Sequence, residues 1–183
     1  MSRSIRAALA VAGSIAALAG GVTTAHADQA TPRAAAASTS VQLQLALTGK
    51  CLTINKGSFA NGANAVQQTC ADDLDNQVFE LVPTGEGAFE VRARHSGKCL
   101  EVENSGKQAG ANVQQWWCTG NPQMQWELNM VDMAKELYEL RPTHVADRCL
   151  DIDHAKTDNG ANAQSWYCNG TDAQLWRLLP VKA

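Results

Sequence analysis

Short runs of alternating apolar and polar residues recur along the chain from residue 41 onward. In the run 149–152, Leu150 and Ile152 fall on one face of an extended strand and Cys149 and Asp151 on the other, because successive strand side chains point to opposite faces. The same alternation predicts strands at 51–54, 99–102, 41–45, 89–93 and 138–141. Turn signals between these short runs predict an all-β body that is either closed or sandwich-like.

The strand runs belong to a unit that occurs three times, over about 41–82, 88–129 and 137–180. In every copy two cysteines lie 19 positions apart, and the copies are offset by 48 and 50 residues. The pairs are Cys51 and Cys70, Cys99 and Cys118, and Cys149 and Cys168. A Gly-Ala-Asn turn lies between the two cysteines of each copy. A fixed period near fifty residues indicates a repeat architecture, in which each unit buries its apolar face against its siblings.

The segment 131–140 departs from the strand pattern, because its composition and spacing also fit a helix. Its counterpart in the preceding copy, 82–91, contains Pro83 and two glycines and is incompatible with a helix. We therefore predict that 131–140 is a strand, a turn and a strand, with a turn two residues longer than that of its counterpart.

The N-terminal segment has the features of a secretory signal peptide. Arg3 and Arg6 precede an apolar run over 7–22, and Ala-His-Ala at 25–27 gives a small-x-small cleavage pattern. We expect residues 1–27 to be the signal peptide; a retained membrane anchor is the alternative, disfavoured because the run is short and interrupted by glycine. Residues 28–40 contain proline and small residues without a large apolar side chain, which predicts a disordered leader or spacer before a domain at 41–183.

Charge argues against two classes of partner. Loss of Arg3 and Arg6 with the signal peptide changes the formal net charge from −3 to −5. An acidic surface offers no electrostatic footprint for nucleic acid or for an anionic membrane. We expect a secreted, extracellular monomer that neither binds nucleic acid nor inserts into a membrane.

An even number of cysteines at repeating spacing, in an exported chain, indicates disulfides. Threefold repetition favours the pairing that treats every copy alike, which is the pairing within copies. A structural zinc site is the competing explanation, but such sites use close Cys-x-x-Cys pairs, which this sequence lacks. We therefore predict one disulfide per copy, no metal site and no cofactor.

Three motifs can now be compared with a known family. The C-L-[DE]-[IV] opening, the W-[WY]-C close and the Q-x-W ending resemble those of the ricin-B-type β-trefoil lectins and their secreted bacterial carbohydrate-binding modules. The resemblance covers about residues 41–180. It implies a β-trefoil, in which three four-stranded units surround a pseudo-threefold axis and the aromatic residues Phe79, Trp126 and Trp176 meet in the core. It also implies carbohydrate binding, with galactose, lactose and xylan as ligand types.

The disulfides suggest which side chains share a strand face. If Cys149 and Cys168 are bonded across two antiparallel strands, then Asp151 and Trp166 face each other directly. The same arithmetic pairs Glu101 with Trp116 and Thr53 with Gln68. A carboxylate beside an exposed indole suits a pyranose, whose C–H face packs on the ring while its hydroxyls donate to the acid.

The resemblance assigns the fullest site to the third copy. There the family's acid, stacking aromatic, polar residue and Q-x-W glutamine correspond to Asp151, Trp166, Asn169 and Gln174. Gln164 lies two residues before the indole on the same face, and its amide can complete the set. Ala173 stands where the family has an asparagine.

The other two copies depart further from the family pattern. The second copy has Glu101, Gln114 and Trp116, with Gln123 in the asparagine's place and Met124 in the glutamine's. The first copy keeps Asn76 and Gln77 but has Thr53 for the acid and Gln68 for the aromatic. We expect the second site to be weaker than the third and the first to be nonfunctional.

Other polar and aromatic residues are interpreted as structural. Alternation places Trp117 and Tyr167 on the opposite face, and we assign them to packing. No catalytic role is assigned to His95, His144 or His154, because no nucleophile motif accompanies them. For Asp151 and Trp166 themselves, the alternative is a solvated acid beside an indole that shields a disulfide.

The sequence thus favours a secreted glycan-binding protein without catalysis. A glycan-targeting accessory module, or a trefoil that binds protein as an inhibitor or toxin subunit, is the alternative. A glycoside hydrolase is disfavoured, because such enzymes need two carboxylates that flank the scissile bond. Each predicted site offers one acid beside an aromatic ring; Asp151 and Asp153 share a strand face but lie at one edge, and they cannot straddle a bond.

Overall fold

The computed structural model describes residues 39–181, which form twelve strands. The first copy comprises β1 (Thr39–Leu45), β2 (Cys51–Ile54), β3 (Ala63–Gln68) and β4 (Val78–Gly85). The second comprises β5 (Ala88–Ala93), β6 (Cys99–Val102), β7 (Ala111–Trp116) and β8 (Gln125–Asp132). The third comprises β9 (Leu137–Pro142), β10 (Arg148–Ile152), β11 (Ala163–Tyr167) and β12 (Trp176–Pro180). Short 3-10 turns occupy Asn55–Gly57, Asp75–Gln77, Glu103–Ser105, Pro122–Met124, Asp153–Ala155 and Asp172–Gln174.

The predicted signal peptide and most of the predicted leader lie outside the described residues. β1 begins at Thr39, opposite Leu81 of β4, two residues before the domain start that the sequence predicts. Among the residues that the structure describes, no helix is long and apolar enough to span a membrane.

Six of the strands close into a barrel. β1 pairs with β4, β4 with β5, β5 with β8, β8 with β9, β9 with β12, and β12 with β1, all antiparallel. The other six form the hairpins β2–β3, β6–β7 and β10–β11, one from each copy. Closure removes the free edges that an open sheet would present. The prediction of an all-β trefoil with pseudo-threefold symmetry is confirmed.

The core contains one aromatic residue from near the end of each copy. Phe79, Trp126 and Trp176 are fully buried, as predicted. The indole N–H of Trp126 donates to the carbonyl of Leu100 at 3.0 Å, and that of Trp176 donates to the carbonyl of Leu150 at 3.1 Å. Each bond gives a buried indole N–H the partner that it would otherwise lack. Each of the two tryptophans thereby also joins its barrel strand, β8 or β12, to the hairpin of its own copy.

The segment 131–140 forms a strand, a turn and a strand, as predicted, and not a helix. β8 ends at Asp132 and β9 begins at Leu137, with a register shift between Met130 and Asp132. The side chain of Asp132 accepts a hydrogen bond of 3.0 Å from the backbone N–H of Lys135 and so caps the turn. Comparison with the corresponding segment of the preceding copy therefore predicts this segment better than its local helical propensity does.

All six cysteines are paired within their own copies, as predicted. The Cα atoms of the bonded residues are 5.0–5.1 Å apart in all three copies. Each disulfide joins a cysteine at the first or second position of one hairpin strand to a cysteine one or two residues beyond the end of the other strand.

Three asparagine side chains join the hairpins where they meet. Asn64 Nδ2 donates to Asn162 Oδ1 at 3.0 Å, Asn112 Nδ2 donates to Asn64 Oδ1 at 3.0 Å, and Asn162 Nδ2 donates to Asn112 Oδ1 at 2.9 Å. Each residue is the last of a Gly-Ala-Asn turn, so one residue per copy closes a head-to-tail ring. We call it the asparagine ring. The sequence predicts the turns but not this ring.

Opening the asparagine ring should destabilise the fold. In Asn112→Ala, Asn64 and Asn162 each lose one partner, and unmet hydrogen bonds at partly buried amides cost about 1–3 kcal/mol. We expect a lower free energy of unfolding in urea by that amount. Asn121→Ala, at an exposed position whose side chain makes no hydrogen bond, is the control and should stay within about 0.5 kcal/mol of the parent. Equal stability of the two variants would show that the ring contributes nothing.

Candidate functional site

The strand register differs by two residues from the predicted one. Asp151 lies opposite Gln164, and Trp166 lies opposite Cys149. The direct pairing of Asp151 with Trp166 is therefore wrong, because Cys168 lies beyond the end of β11 and its disulfide reaches Cys149 diagonally. A shift of two residues keeps every side chain on its original face, so the acid and the indole still share one side of the hairpin.

The same shift occurs in the other two hairpins. Glu101 lies opposite Gln114, and Trp116 lies opposite Cys99. In the first copy Thr53 lies opposite Val66 and Gln68 opposite Cys51. The three hairpins therefore share one register, so the residues on their cleft-facing sides occupy corresponding positions.

The third copy has a cleft of about 320 Å³. Its lining includes four of the predicted site residues, Asp151, Gln164, Trp166 and Asn169. This volume lies at the lower end of the range for ligand pockets and suits a ligand about the size of one sugar ring. The indole of Trp166 is 39% exposed and forms one wall.

Two glutamines hold the carboxylate of Asp151 at the base of this cleft. Gln164 Nε2 donates to Oδ1 at 2.8 Å, and Gln174 Nε2 donates to Oδ2 at 2.9 Å. Gln174 also donates to the carbonyl of Tyr167 and accepts from the backbone N–H of Asn169, both at 2.9 Å. Because Gln174 is fully buried, it orients the acid from below and does not line the cleft. Each carboxylate oxygen keeps lone-pair capacity for a ligand hydroxyl.

The electrostatics of the two acids in this cleft differ. Burial raises the pKa of Asp151; the hydrogen bonds from Gln164 and Gln174 oppose this effect, and the charge of Asp153 adds to it. The pKa of Asp153 is lowered instead, chiefly by its hydrogen bond from Lys156 at 2.7 Å. His154 lies beside Asp153 and also lowers its pKa.

The second copy has a smaller cleft of about 240 Å³, lined by Glu101, Gln114, Trp116 and Gln123 among others. Gln114 Nε2 donates to Glu101 Oε1 at 2.9 Å, as Gln164 does to Asp151. The buried thioether of Met124 stands where Gln174 stands in the third copy. A thioether cannot donate a hydrogen bond, so Glu101 is held less firmly than Asp151. Burial raises the pKa of Glu101 as well.

The first copy keeps the supporting contacts of the site but not its ligand groups. Gln77 Nε2 donates to the carbonyl of Thr69 at 2.9 Å and Gln77 Oε1 accepts from the N–H of Ala71 at 2.8 Å, as Gln174 does in the third copy. Among the described residues that line this cleft, none carries a carboxylate or an aromatic ring. The hydroxyl of Thr53, in the acid's place, donates to the carbonyl of Cys51 at 3.0 Å.

Several cleft residues were missed by sequence reasoning. Leu47, in the loop between β1 and β2, lines the cleft of the third copy, and its backbone N–H donates to the carbonyl of Asp172 at 3.2 Å. It comes from a different copy, so alignment of the repeats gives no signal for it. Asp153 and His154 also line the cleft, from the 3-10 turn that follows β10. Asp153 therefore lies outside the strand, and its predicted position on one strand face with Asp151 is wrong. His154 has a left-handed backbone conformation, as do Lys56 and Asn104 at the corresponding positions of the other copies. A polar residue at this repeated position is the signal in the sequence that could have pointed to His154.

The assignment of Trp117 and Tyr167 to packing is wrong. Trp117 is 62% exposed and Tyr167 is 52% exposed. Alternation places them on the opposite face, but Trp117 directly follows β7 and Tyr167 is the last residue of β11, and no further layer covers that face there. Each ring has a cation against it, with Lys98 Nζ 4.0 Å from the centroid of Trp117 and Arg148 Cζ 3.8 Å from that of Tyr167.

Titration of Asp151 should report the support from Gln174. Because a hydrogen bond to the carboxylate favours the charged form, Gln174→Met should raise the pKa of Asp151 further. NMR of the side-chain carboxyl carbon against pH would measure this change. Gln77→Met, the matched change in the first copy, should leave the titration of Asp151 as it is in the parent. A shift of equal size in both variants would contradict the assignment.

The raised pKa also fixes the sign of the contribution of Asp151 to stability. Between the ordinary value of 3.8 and the raised value, the folded chain binds more protons than the unfolded chain. The contribution of Asp151 is therefore most favourable below that window and decreases as pH rises through it. Asp151→Asn should remove this dependence from urea unfolding measured across the window; an unchanged pH profile would contradict it.

The described fold and clefts can be compared with known structures. A designed threefold-symmetric protein, ThreeFoil, is 38% identical, with a TM-score of 0.72 over 76% of this chain and 97% of that one. The Rhizoctonia solani agglutinin is 19% identical, with a TM-score of 0.70 over 79% of this chain and 96% of that one. An exo-β-1,3-galactanase from Clostridium thermocellum is 27% identical, with a TM-score of 0.73 over 78% of this chain but 30% of that one.

Comparison with curated proteins gives no match. The family model described as ricin-type β-trefoil lectin domain-like matches residues 29–116, 75–164 and 122–183. These overlapping matches together span the three copies and their clefts. The chain therefore belongs to the ricin-type β-trefoil lectin domain-like family.

Proposed function

We propose that the chain is a secreted lectin that binds galactose- or xylan-type glycans without catalysis. The cleft of the third copy is the principal site and the cleft of the second copy is a weaker one. The observation that carries this proposal is the pair of glutamine amides that fix the Asp151 carboxylate in the same cleft as a partly exposed indole.

The chemistry of the cleft suits one pyranose ring. The apolar C–H face of the sugar packs on Trp166, while neighbouring hydroxyls donate to the oxygens of Asp151. The side chain of Asn169 contributes a further polar group at the rim. Contact of this kind is shallow and leaves part of the ligand in water, so a single site binds weakly. Two clefts on one body would gain affinity for a repetitive glycan through effective concentration.

The two sites are unequal for a physical reason. Asp151 receives two amide hydrogen bonds, and a preorganised carboxylate loses little freedom when a ligand binds. Glu101 has one more methylene group and Met124 beneath it in place of a glutamine, so its carboxylate is freer. We therefore assign the higher affinity to the third copy.

Hydrolysis is the second candidate, because Asp151 and Asp153 share one cleft and have pKa values shifted in opposite directions. Both acids come from the same end of one hairpin, whereas a glycosidase places its carboxylates on either side of the scissile bond. The galactanase with a similar fold has most of its length outside the part that this chain matches. We therefore infer binding rather than catalysis.

Export is supported by the covalent structure. The chain has three disulfides. Disulfides form and persist in oxidising compartments and are typical of secreted proteins. The signal-peptide pattern at 1–27 points the same way.

Loss of the indole should abolish most glycan binding. In Trp166→Ala, we expect retention on immobilised galactan or xylan to fall about ten-fold or more, since aromatic packing contributes about 0.5–1.5 kcal/mol beyond its apolar area and 1.4 kcal/mol is a factor of ten. Affinity electrophoresis would measure this. Gln68→Ala, at the matched position of the first copy, should leave retention unchanged.

Three outcomes would contradict the proposal. A larger effect of Gln68→Ala than of Trp166→Ala would show that the principal site lies in the first copy and not in the third. Release of reducing ends from a retained polysaccharide would establish hydrolysis. Failure to bind any glycan on an array, together with capture of a protein ligand that Trp166→Ala leaves unaffected, would favour a protein-binding scaffold.

Glycan binding should weaken in acid at a higher pH than an ordinary aspartate would predict. A protonated carboxyl accepts ligand hydroxyls poorly, and burial raises the pKa of Asp151 above 3.8. Affinity for the retained polysaccharide should therefore fall as pH decreases through the raised value. Asp151→Asn should bind weakly with no such pH dependence; a wild-type profile that stays flat down to 3.8 would contradict the prediction.

A further inference from the structure

Two exposed aromatic rings follow the cleft-lining indoles in the chain, leave their strands on the opposite face and do not line the clefts. Trp117 and Tyr167 are each more than half exposed, and each directly follows the indole that lines a cleft. Exposure of single apolar residues is ordinary on a protein surface, so exposure alone does not indicate function. The pattern across the copies and the geometry of the rings provide two further observations.

The aromatic ring that directly follows the cleft indole, Trp117 or Tyr167, is called the outer ring. It occurs in the same copies as the other ligand groups. The second copy has Glu101 with Trp117, and the third has Asp151 with Tyr167. The first copy lacks both the acid and the inner aromatic, and it has Thr69 at the outer position. The first copy still forms the same hairpin in the same register, so the fold does not require an aromatic residue there. The outer ring therefore goes with the binding groups rather than with the fold.

In the third copy the outer ring is held at a right angle to the inner one. The ring centroids of Tyr167 and Trp166 are 6.2 Å apart, and their planes are inclined by 81°. The guanidinium of Arg148 lies against one face of Tyr167, at 3.8 Å from the centroid. Arg148 is itself buried, and its Nη2 donates to the carbonyl of Lys107 at 2.9 Å. One face of the tyrosine ring is thus fixed from below, while the ring remains about half exposed.

In the second copy, too, a buried cation lies against the outer ring. Lys98 is buried, and its ammonium lies 4.0 Å from the centroid of the Trp117 ring. In the first copy the corresponding Lys50 donates to the carbonyl of Thr157 at 2.9 Å. The cation is therefore common to all three copies, but a ring covers it only where an acid and an inner indole are also present.

We propose that Tyr167 and Trp117 are second sugar contacts, which bind the next unit of a neutral oligosaccharide whose first unit occupies the adjacent cleft. This inference rests on the proposed lectin function and specifies its substrate class, chains of two or more pyranose units rather than monosaccharides. Adjacent units of such a chain are rotated about their linkage, and two rings set at a right angle offer each unit a separate plane. A ring held by a buried cation loses little freedom on binding, which favours contact at an exposed position.

The test compares a monosaccharide with an oligosaccharide in a chain that carries Trp116→Ala, so that the third copy alone reports. The probes are xylose with xylotetraose and galactose with lactose, measured by isothermal titration calorimetry. Tyr167→Leu keeps an apolar cover over Arg148 but removes the flat ring. We expect it to lower affinity for the oligosaccharide of the binding pair roughly three- to ten-fold and to leave monosaccharide affinity unchanged.

Two further variants guard against a loss that reflects folding. Tyr167→Phe retains the ring and should retain oligosaccharide affinity. Thr69→Leu, the matched change in the first copy, should alter neither affinity. Unchanged monosaccharide binding in Tyr167→Leu serves as the internal check that the cleft is intact.

The outcomes separate this inference from the function on which it rests. Equal losses for both probes in Tyr167→Leu, or no loss for either, would overturn the second contact while Trp166→Ala still abolishes binding. Absence of any glycan binding by the parent chain would overturn both. A loss confined to the oligosaccharide, with retention in Tyr167→Phe, would establish the second contact.

Discussion

Three amide side chains, hydrogen-bonded head to tail, hold together the part of the molecule that carries the clefts. The asparagine ring takes one residue from each of β3, β7 and β11, or from the turn that leads into it. The same strands carry Gln68, Trp116 and Trp166 at their far ends. Because the two strands of each hairpin are paired in one antiparallel register and cross-linked by a disulfide, fixing one end of the three strands relative to one another also restrains the positions of the three clefts.

The hairpins are joined by a second set of buried contacts, which the copies satisfy differently. Gln67 in the first copy donates to the carbonyls of Lys156 and Asp158 in the third, at 2.7 and 3.0 Å. Gln115 in the second copy does the same to the first copy. The corresponding residue in the third copy is Ser165, whose hydroxyl has no partner among residues 39–181. There Arg148 donates across the boundary instead, and this is the residue that underlies Tyr167.

The spacing of the repeats predicts an all-β body of three copies, and the disulfide pairing follows from the periodic cysteines. The trefoil arrangement and the burial of Phe79 in its core are implied by the resemblance to the ricin-B-type lectins instead. The register within each hairpin does not, since a disulfide can join opposite residues or diagonal ones and spacing alone does not distinguish them. Alternation assigns Tyr167 to a face correctly, but no pattern in the sequence says whether another layer covers that face.

The sequence predicts the cleft residues that come from the same copy as the cleft, but not those that come from another copy. Asp151 and Trp166 follow from the motif, and alternation places Gln164 on their face. Its hydrogen bond to Asp151 depends on the observed register, in which the two residues lie opposite each other. Leu47 reaches the same cleft from a copy roughly a hundred residues earlier, and the asparagine ring depends on the geometry at the axis. The three asparagines do recur with the period of the sequence, but the period does not show that they contact one another, because each copy carries only half of such a contact.

The cross-links close short loops, and none of them bridges two copies. Since the entropic cost of bringing two residues together grows with the length of chain between them, a cysteine meets the partner 19 residues away more readily than one in a neighbouring copy. Loop length therefore favours the native pairs by a small margin before the barrel closes. A chain assembled this way can gain or lose a whole copy without leaving an unmatched thiol behind.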